Sequence, residues 1–137
     1  MGGVRTFEEL AAWQRAHELH LLCGHLLSRP SVRQDITFRN QLADASGSGP
    51  RNIAEGFGRF RPRENAQYVR VANGSANEVL NLIIEARTKG YLMPAEFSQF
   101  ETAARRAIGT IVRYLKYLES CDPHGPTGPH RPKRKPQ

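Results

Sequence analysis

Residues 62–90 read PRENAQYVRVANGSANEVLNLIIEARTKG, and this stretch decides the fold class. Pro62 suits the first position of a helix, where its missing N–H costs nothing, and Gly90 suits the position just past the end. Between them Val69, Ala72, Ala76, Val79, Leu80, Ile83 and Ile84 recur at spacings that put side chains on one face of an α-helix. Each buried Val, Leu or Ile on such a face contributes about 1.5–3 kcal/mol by leaving water, so this helix is expected to be central. Gly74 falls in its middle and costs about 1 kcal/mol relative to Ala, which points to close approach of a neighbouring helix or subunit there.

The same period continues on both sides. Downstream, a helix starting near Pro94 carries Phe97, Phe100, Ala104, Ile108, Ile111, Leu115 and Leu118, an approximate heptad seam. Upstream, a helix from about Asp35 carries Ile36, Phe38, Leu42, Ala45, Ile53 and Ala54, but Gly47, Gly49 and Pro50 fall inside it and propensity alone would break it there. The first helix is expected at Thr6, because Thr6 followed by Glu9 has the form of a capping box. Leu10, Trp13, Ala16, Leu19, Leu22, Cys23, Leu26 and Leu27 then give one broad apolar face until Pro30 stops it, and a short turn is expected between Pro30 and Asp35. No segment alternates at period two with turn punctuation. The expected fold is therefore all-α, an antiparallel up-down-up-down four-helix bundle with short connections.

At 137 residues the chain has room for one modest core. The expected organisation is a flexible N-terminus over residues 1–5, the bundle over 6–121, and a disordered basic tail over 122–137, rich in Pro, Gly and His. No apolar run approaches the ~20 residues that span a bilayer, and the start has no apolar stretch of secretory type, so a soluble, cytoplasmic protein is expected. Cys23 and Cys121 form neither a disulfide framework nor a metal motif. The net charge of +7 suits a polyanionic partner, RNA or DNA, and stays positive without the tail.

Catalytic constellations are missing. His17 and His20 are spaced as metal ligands on one helix face could be, with His25 nearby, but no carboxylate or cysteine completes a site. They are read as surface or interface histidines, and no metal or cofactor is expected. A di-iron bundle would need Glu-x-x-His on two helices. Ser46 and Ser48 lie outside any strand-turn-helix elbow, and Gly56-Phe57-Gly58 lacks the preceding strand and the Lys-Ser/Thr ending of a phosphate loop. The chain is not expected to be an enzyme. Basic residues are the better functional candidates: Arg51, Arg59, Arg61 and Arg63 around the second connection, with Phe57 and Phe60 interleaved, Arg70 further along the third helix, and Arg131, Lys133, Arg134 and Lys135 in the tail. Arginine grips phosphate through a planar fork, and an exposed Phe can stack on an unpaired base. A solvated helix end would carry the same residues. A second basic group, Arg105, Arg106, Arg113 and Lys116, follows the fourth helix and could equally pair with acidic groups between subunits.

Asn52-Ile53-Ala54-Glu55-Gly56-Phe57-Gly58-Arg59, taken with Gly74-Ser75-x-x-Glu78, Gly90-Tyr91-Leu92 and the opening Thr6-Phe7-Glu8-Glu9-Leu10-x-x-Trp13-Gln14, resembles a known family. These are the four-helix bundle proteins first noticed as reading frames inside intervening sequences of bacterial 23S ribosomal RNA genes, and the resemblance runs from about Thr6 to about Glu119. It implies one continuous helix through Gly47-Pro50, and a five-fold ring of bundles, so a homopentamer is expected. One branch consists of accessory proteins of diversity-generating retroelements, which implies a reverse transcriptase and nucleic acid as partners. Asn52 and Glu55 are read as fastening the end of the second helix to the start of the third, with Glu55 able to pair with Arg59, while Gly56 and Gly58 permit close packing or the turn. Where many members carry an Arg pair and a Val-Ser-Ile-Pro run, this chain has Ala43-Asp44 and Gly47-Ser48-Gly49-Pro50. The expected function is nucleic-acid binding in an accessory role, with a structural oligomer or protein-interaction module as the alternative.

Overall fold

The computed structural model describes residues 3–122. A 3-10 turn, Phe7–Glu9, is followed by helices α1 (Ala11–Leu27), α2 (Pro30–Gln34), α3 (Ile36–Phe57), α4 (Pro62–Thr88) and α5 (Pro94–Ser120), and there is no strand among the described residues. The protein is all-α. Of the four long helices, α3 packs against α1 and α4, and α5 packs against α4 and α1. Two buried clusters are stacked along the axis. One joins the end of α1 (Leu26) to the start of α3 (Phe38), the end of α4 (Ile83) and the start of α5 (Phe100). The other joins Ala12, Ile53, Val69 and Leu118 from the opposite ends of the same helices. Successive long helices therefore alternate in direction. Among the described residues no helix is long and apolar enough to cross a membrane.

Several boundaries differ from the sequence reading. No capping box forms at Thr6: its side chain makes no cap bond, and the Glu9 carboxylate instead accepts the Arg5 amide at 2.8 Å. Leu10 turns extended (φ −72°, ψ 126°) before α1 begins at Ala11. That break lets Leu10 enter the core while Phe7 meets Trp13 edge-on, 5.2 Å between ring centroids. The expected turn after Pro30 is the short helix α2, started by Pro30 and anchored by Val32, which is 0% exposed. Ile36 and Ile84 do not join the core and stand 62% and 44% exposed.

Helix α3 runs unbroken through Gly47, Gly49 and Pro50, all buried, because tertiary packing outweighs local propensity there. A Cβ on Gly49 would touch that of Ala16 at 3.7 Å, so small residues on both helices bring α1 and α3 together. Gly74 behaves differently. An added Cβ would meet nothing within 4 Å, so among the described residues no other helix approaches it closely.

The end of the molecule away from the α3–α4 connection is sealed. Gly90 takes a positive φ of 78°, Gly90 N–H donates to Arg87 O and Tyr91 N–H to Ala86 O, a Schellman ending of α4. Tyr91 then donates its hydroxyl to Asp35 Oδ2 at 2.7 Å, which also receives Lys89 Nζ at 2.8 Å, while Asp35 Oδ1 caps α3 at the Phe38 amide. Arg29 completes the seal by donating to Tyr91 O and pairing with Glu96.

Candidate nucleic-acid interface

Only Gly58 to Arg61 separate α3 from α4. So short a connection demands that the two helices be close where they end, and Gly56 provides this. A Cβ there would lie 2.6 Å from Asn65 Oδ1 and 2.8 Å from Tyr68 Cβ, both on α4. Gly58 closes α3 through its amide to Ala54 O and Glu55 O. Pro62 then forces Arg61 into extended backbone (φ −109°, ψ 135°) and opens α4 as its first residue. The outcome is a tight corner from which Phe60 projects, 72% exposed, between Arg59 and Arg61.

The arginines of this corner are not equivalent. Arg59 is engaged: it pairs with Glu55 at 3.0 Å, donates to the Tyr68 hydroxyl at 2.5 Å, and lies over the Tyr68 ring at 4.9 Å. Arg61 and Arg63, both exposed, have no side-chain hydrogen bond or ion pair among the described residues. Arg70 is on the α4–α5 side and pairs with Glu119 at 3.3 Å. Arg51 lies near His20 of α1, pairs with Asp44 at 3.7 Å, and does not join the corner. Arg131, Lys133, Arg134 and Lys135 lie outside the described residues. Yet α5 ends at this same end of the molecule, since Leu118 shares its cluster with Ile53 and Val69.

Asn52 does not reach α4 itself. It donates to Ser48 O and Ser48 Oγ, and Ser48 shares a 2.7 Å hydrogen bond with Ser75 of α4, so the fastening runs through the serine. Glu55 is occupied with Arg59. Gly58 adopts right-handed backbone (φ −71°), which any residue could take. Asn65, unremarked in the sequence, is buried and donates Nδ2 to the Tyr114 hydroxyl at 2.9 Å. Burial chiefly pushes the Tyr114 phenol up to about 12, against the lowering effect of that bond. The histidines fall elsewhere: His17 stacks on Trp13 at 4.6 Å, and His20 Nδ1 meets Ser46 Oγ at 3.2 Å. Burial, then His17 and Arg51, lower the His20 pKa. Among the described residues no three metal-ligating side chains come together. Arg105 of the second basic group pairs with Glu101 at 3.3 Å, whereas Arg106 and Arg113 share a groove with Arg15 of α1, which the sequence did not single out.

Comparison with known proteins agrees with this architecture. The family model described as 23S rRNA-intervening sequence protein matches residues 8–113. Among solved structures, a crystal structure of a protein of unknown function from the S23 ribosomal protein family of Bacteroides thetaiotaomicron is similar, with a TM-score of 0.70 at 11% identity, covering 77% of this chain and 99% of that one. At that identity the likeness is one of fold. No curated protein matches the chain.

Proposed function

The chain belongs to the 23S rRNA-intervening sequence protein family, and from that premise we propose that it is a non-enzymatic four-helix bundle that binds RNA or DNA with little sequence preference. The carrying observation is the corner between α3 and α4, where Arg61 and Arg63 have no side-chain partner among the described residues and follow directly on exposed Phe60. Unpaired guanidinium groups offer planar forks to phosphates, and a projecting phenyl ring offers about 1–3 kcal/mol of stacking per unpaired base. Arg59, held by Glu55 and Tyr68, shapes the corner more than it binds. The basic residues Arg131 to Lys135 follow the end of α5 in sequence and would extend the same charge.

On this reading the protein acts in the cytoplasm as an accessory to an RNA, or to a reverse transcriptase bound to one. It assembles as a homo-oligomer, a pentamer by first choice, which would repeat the basic corner and multiply weak contacts. The competing reading, a structural oligomer without nucleic-acid contact, draws on a different observation. Val71 and Ile84 are exposed on α4, and Gly74 between them has nothing near it.

Fluorescence anisotropy with single-stranded RNA and duplex DNA across a salt series decides between the two. Affinity should fall by about 0.7 to 0.9 log units per tenfold salt for each phosphate neutralised. Replacing Arg61 and Arg63 together by Ala should reduce that slope by about 1.5 and leave thermal stability within about 0.5 kcal/mol. Absence of binding by the full chain at low salt would leave the structural oligomer as the function.

A further inference from the structure

Arg106 and Arg113 stand seven residues apart on α5, about 10 Å along the helix axis and on nearly the same side. Across from them α1 begins, and Arg15 brings a third guanidinium to the same open groove of about 480 Å³. Leu10, Ala12, Thr110 and Tyr114 contribute to its lining, and among the described residues no carboxylate does so. Glu18 compensates Arg15 alone, at 2.9 Å. Arg113 has only the neutral Thr110 hydroxyl, at 3.3 Å, and Arg106 has no side-chain partner among the described residues. Two positive charges in the groove are therefore uncompensated within the described chain.

The groove opens on the α1–α5 side, across the bundle from the α3–α4 side but at the same end of the molecule as the corner, since Leu10 and Ala12 share a buried cluster with Ile53 and Ala66. Its wall residue Tyr114 accepts a hydrogen bond from Asn65, which follows Arg63 by two residues in the first turns of α4. We propose that the groove is a second phosphate-binding station, gripping the backbone of the same nucleic-acid strand that Arg61 and Arg63 hold. This rests on the nucleic-acid reading above and extends it to a defined track: corner first, then the α1–α5 groove. The residue types fit a phosphate diester. Arg106 and Arg113 supply forks at two points along one line, and the Thr110 hydroxyl between them is already engaged with Arg106 O and with Arg113. Within the second basic group of the sequence, Arg106 and Arg113 thereby gain a role that Arg105, neutralised by Glu101, does not share.

The test uses the full chain and unlabelled versus 5′-phosphorylated oligothymidylate and oligouridylate of two lengths, one short enough for a single station and one long enough for both. Three double variants are compared with wild type: Arg106→Ala with Arg113→Ala, Arg106→Lys with Arg113→Lys, and Arg61→Ala with Arg63→Ala. For the long oligomers the groove Ala pair should reduce the salt slope by about 1.4, at about 0.7 per single-strand phosphate, and the Lys pair should keep the slope. The corner pair should weaken short and long oligomers alike, whereas the groove pair should chiefly erase the advantage of length. Sedimentation equilibrium on every variant guards against the other use of such charges. If the groove Ala pair changes the assembled mass, or binds long oligomers with the wild-type slope, the proposal is overturned while the corner reading stands. If wild type binds no oligomer at low salt, both fall together.

Discussion

Replacing Gly56 by Ala and, separately, Gly74 by Ala should shift stability in opposite directions, although both glycines lie within helices. In a helix interior Ala is favoured over Gly by about 1 kcal/mol, because Gly has more backbone freedom to lose. At Gly74 nothing opposes that gain, since the new methyl would meet no atom within 4 Å, and the variant should be more stable by roughly that amount. At Gly56 the methyl would stand 2.6 Å from Asn65 Oδ1, 2.8 Å from Tyr68 Cβ and 3.1 Å from Asn65 O. A side chain at its far end could yield, but a backbone oxygen and a Cβ move only with α4 itself. Such overpacking costs about 1–3 kcal/mol, and displacing Asn65 also endangers its bond to Tyr114, worth about 1 kcal/mol. The net loss is about 2 kcal/mol after the helix gain is subtracted, or roughly 8 °C in midpoint at about 4 °C per kcal/mol. Far-UV circular dichroism during heating and urea titration measures both variants at one protein concentration. Gly56→Ala as stable as wild type would refute the close α3–α4 crossing. Gly74→Ala less stable than wild type would mean that a second copy, absent from the single chain, packs on that face.

Acid should weaken the sealed end. The hydrogen bonds from Lys89 and then Tyr91 hold the Asp35 carboxyl down from 3.8 to about 2. A carboxyl more acidic in the folded chain stabilises fully above its ordinary value and loses that contribution as pH falls from about 4 towards about 2. Asp35→Asn should therefore be less stable at neutral pH yet show a flatter stability curve across that window; parallel curves for variant and wild type would contradict the assignment. Tyr114→Phe should cost about 1–3 kcal/mol by depriving buried Asn65 of the hydroxyl it donates to, read as a lower urea midpoint. Alkaline absorbance titration should lose the component near pH 12 in the same variant, and retention of that component would assign it to another phenol.

The long amphipathic helices were legible because their signal is local and repeated. Both ends of α4 and the start of α5 follow from Pro62, Gly90 and Pro94, and the apolar stripes supply about half of the buried residues on α4 and most of those on α5. Reading failed where one local pattern stood alone against packing. The Thr6 capping box lost to burial of Leu10, and the Gly-Ser-Gly-Pro run, disfavoured by propensity, became the seam where α1 meets α3. The candidate interface shows the same division. Glu55 with Arg59 is an i, i+4 pair visible in any helical sequence, but the Tyr68 contact spans a corner and needs the fold. Arg51 looked like a neighbour of Arg59, yet it lies on α3 six residues before the helix ends at Phe57, about 9 Å along the axis, while Arg59 stands in the connection beyond it. Arg15 was invisible as a partner of Arg106 and Arg113 because they are more than ninety residues apart and only antiparallel packing joins them.

That α1 begins beside the end of α5 has a practical bearing on how the protein is handled. An affinity tag, a dye or a sensor surface attached close before Phe7 or directly after α5 would be introduced at the basic end, shielding the corner and the groove or adding its own charge to them. The far end offers a cleaner handle. Met93 is exposed in the connection to α5, while Cys23 and Cys121 are both buried and burial pushes the Cys23 thiol up to about 12. A Met93→Cys variant would thus present one reactive thiol, and a molecule tethered through it would hold the arginines of the corner and the groove outward, into solution.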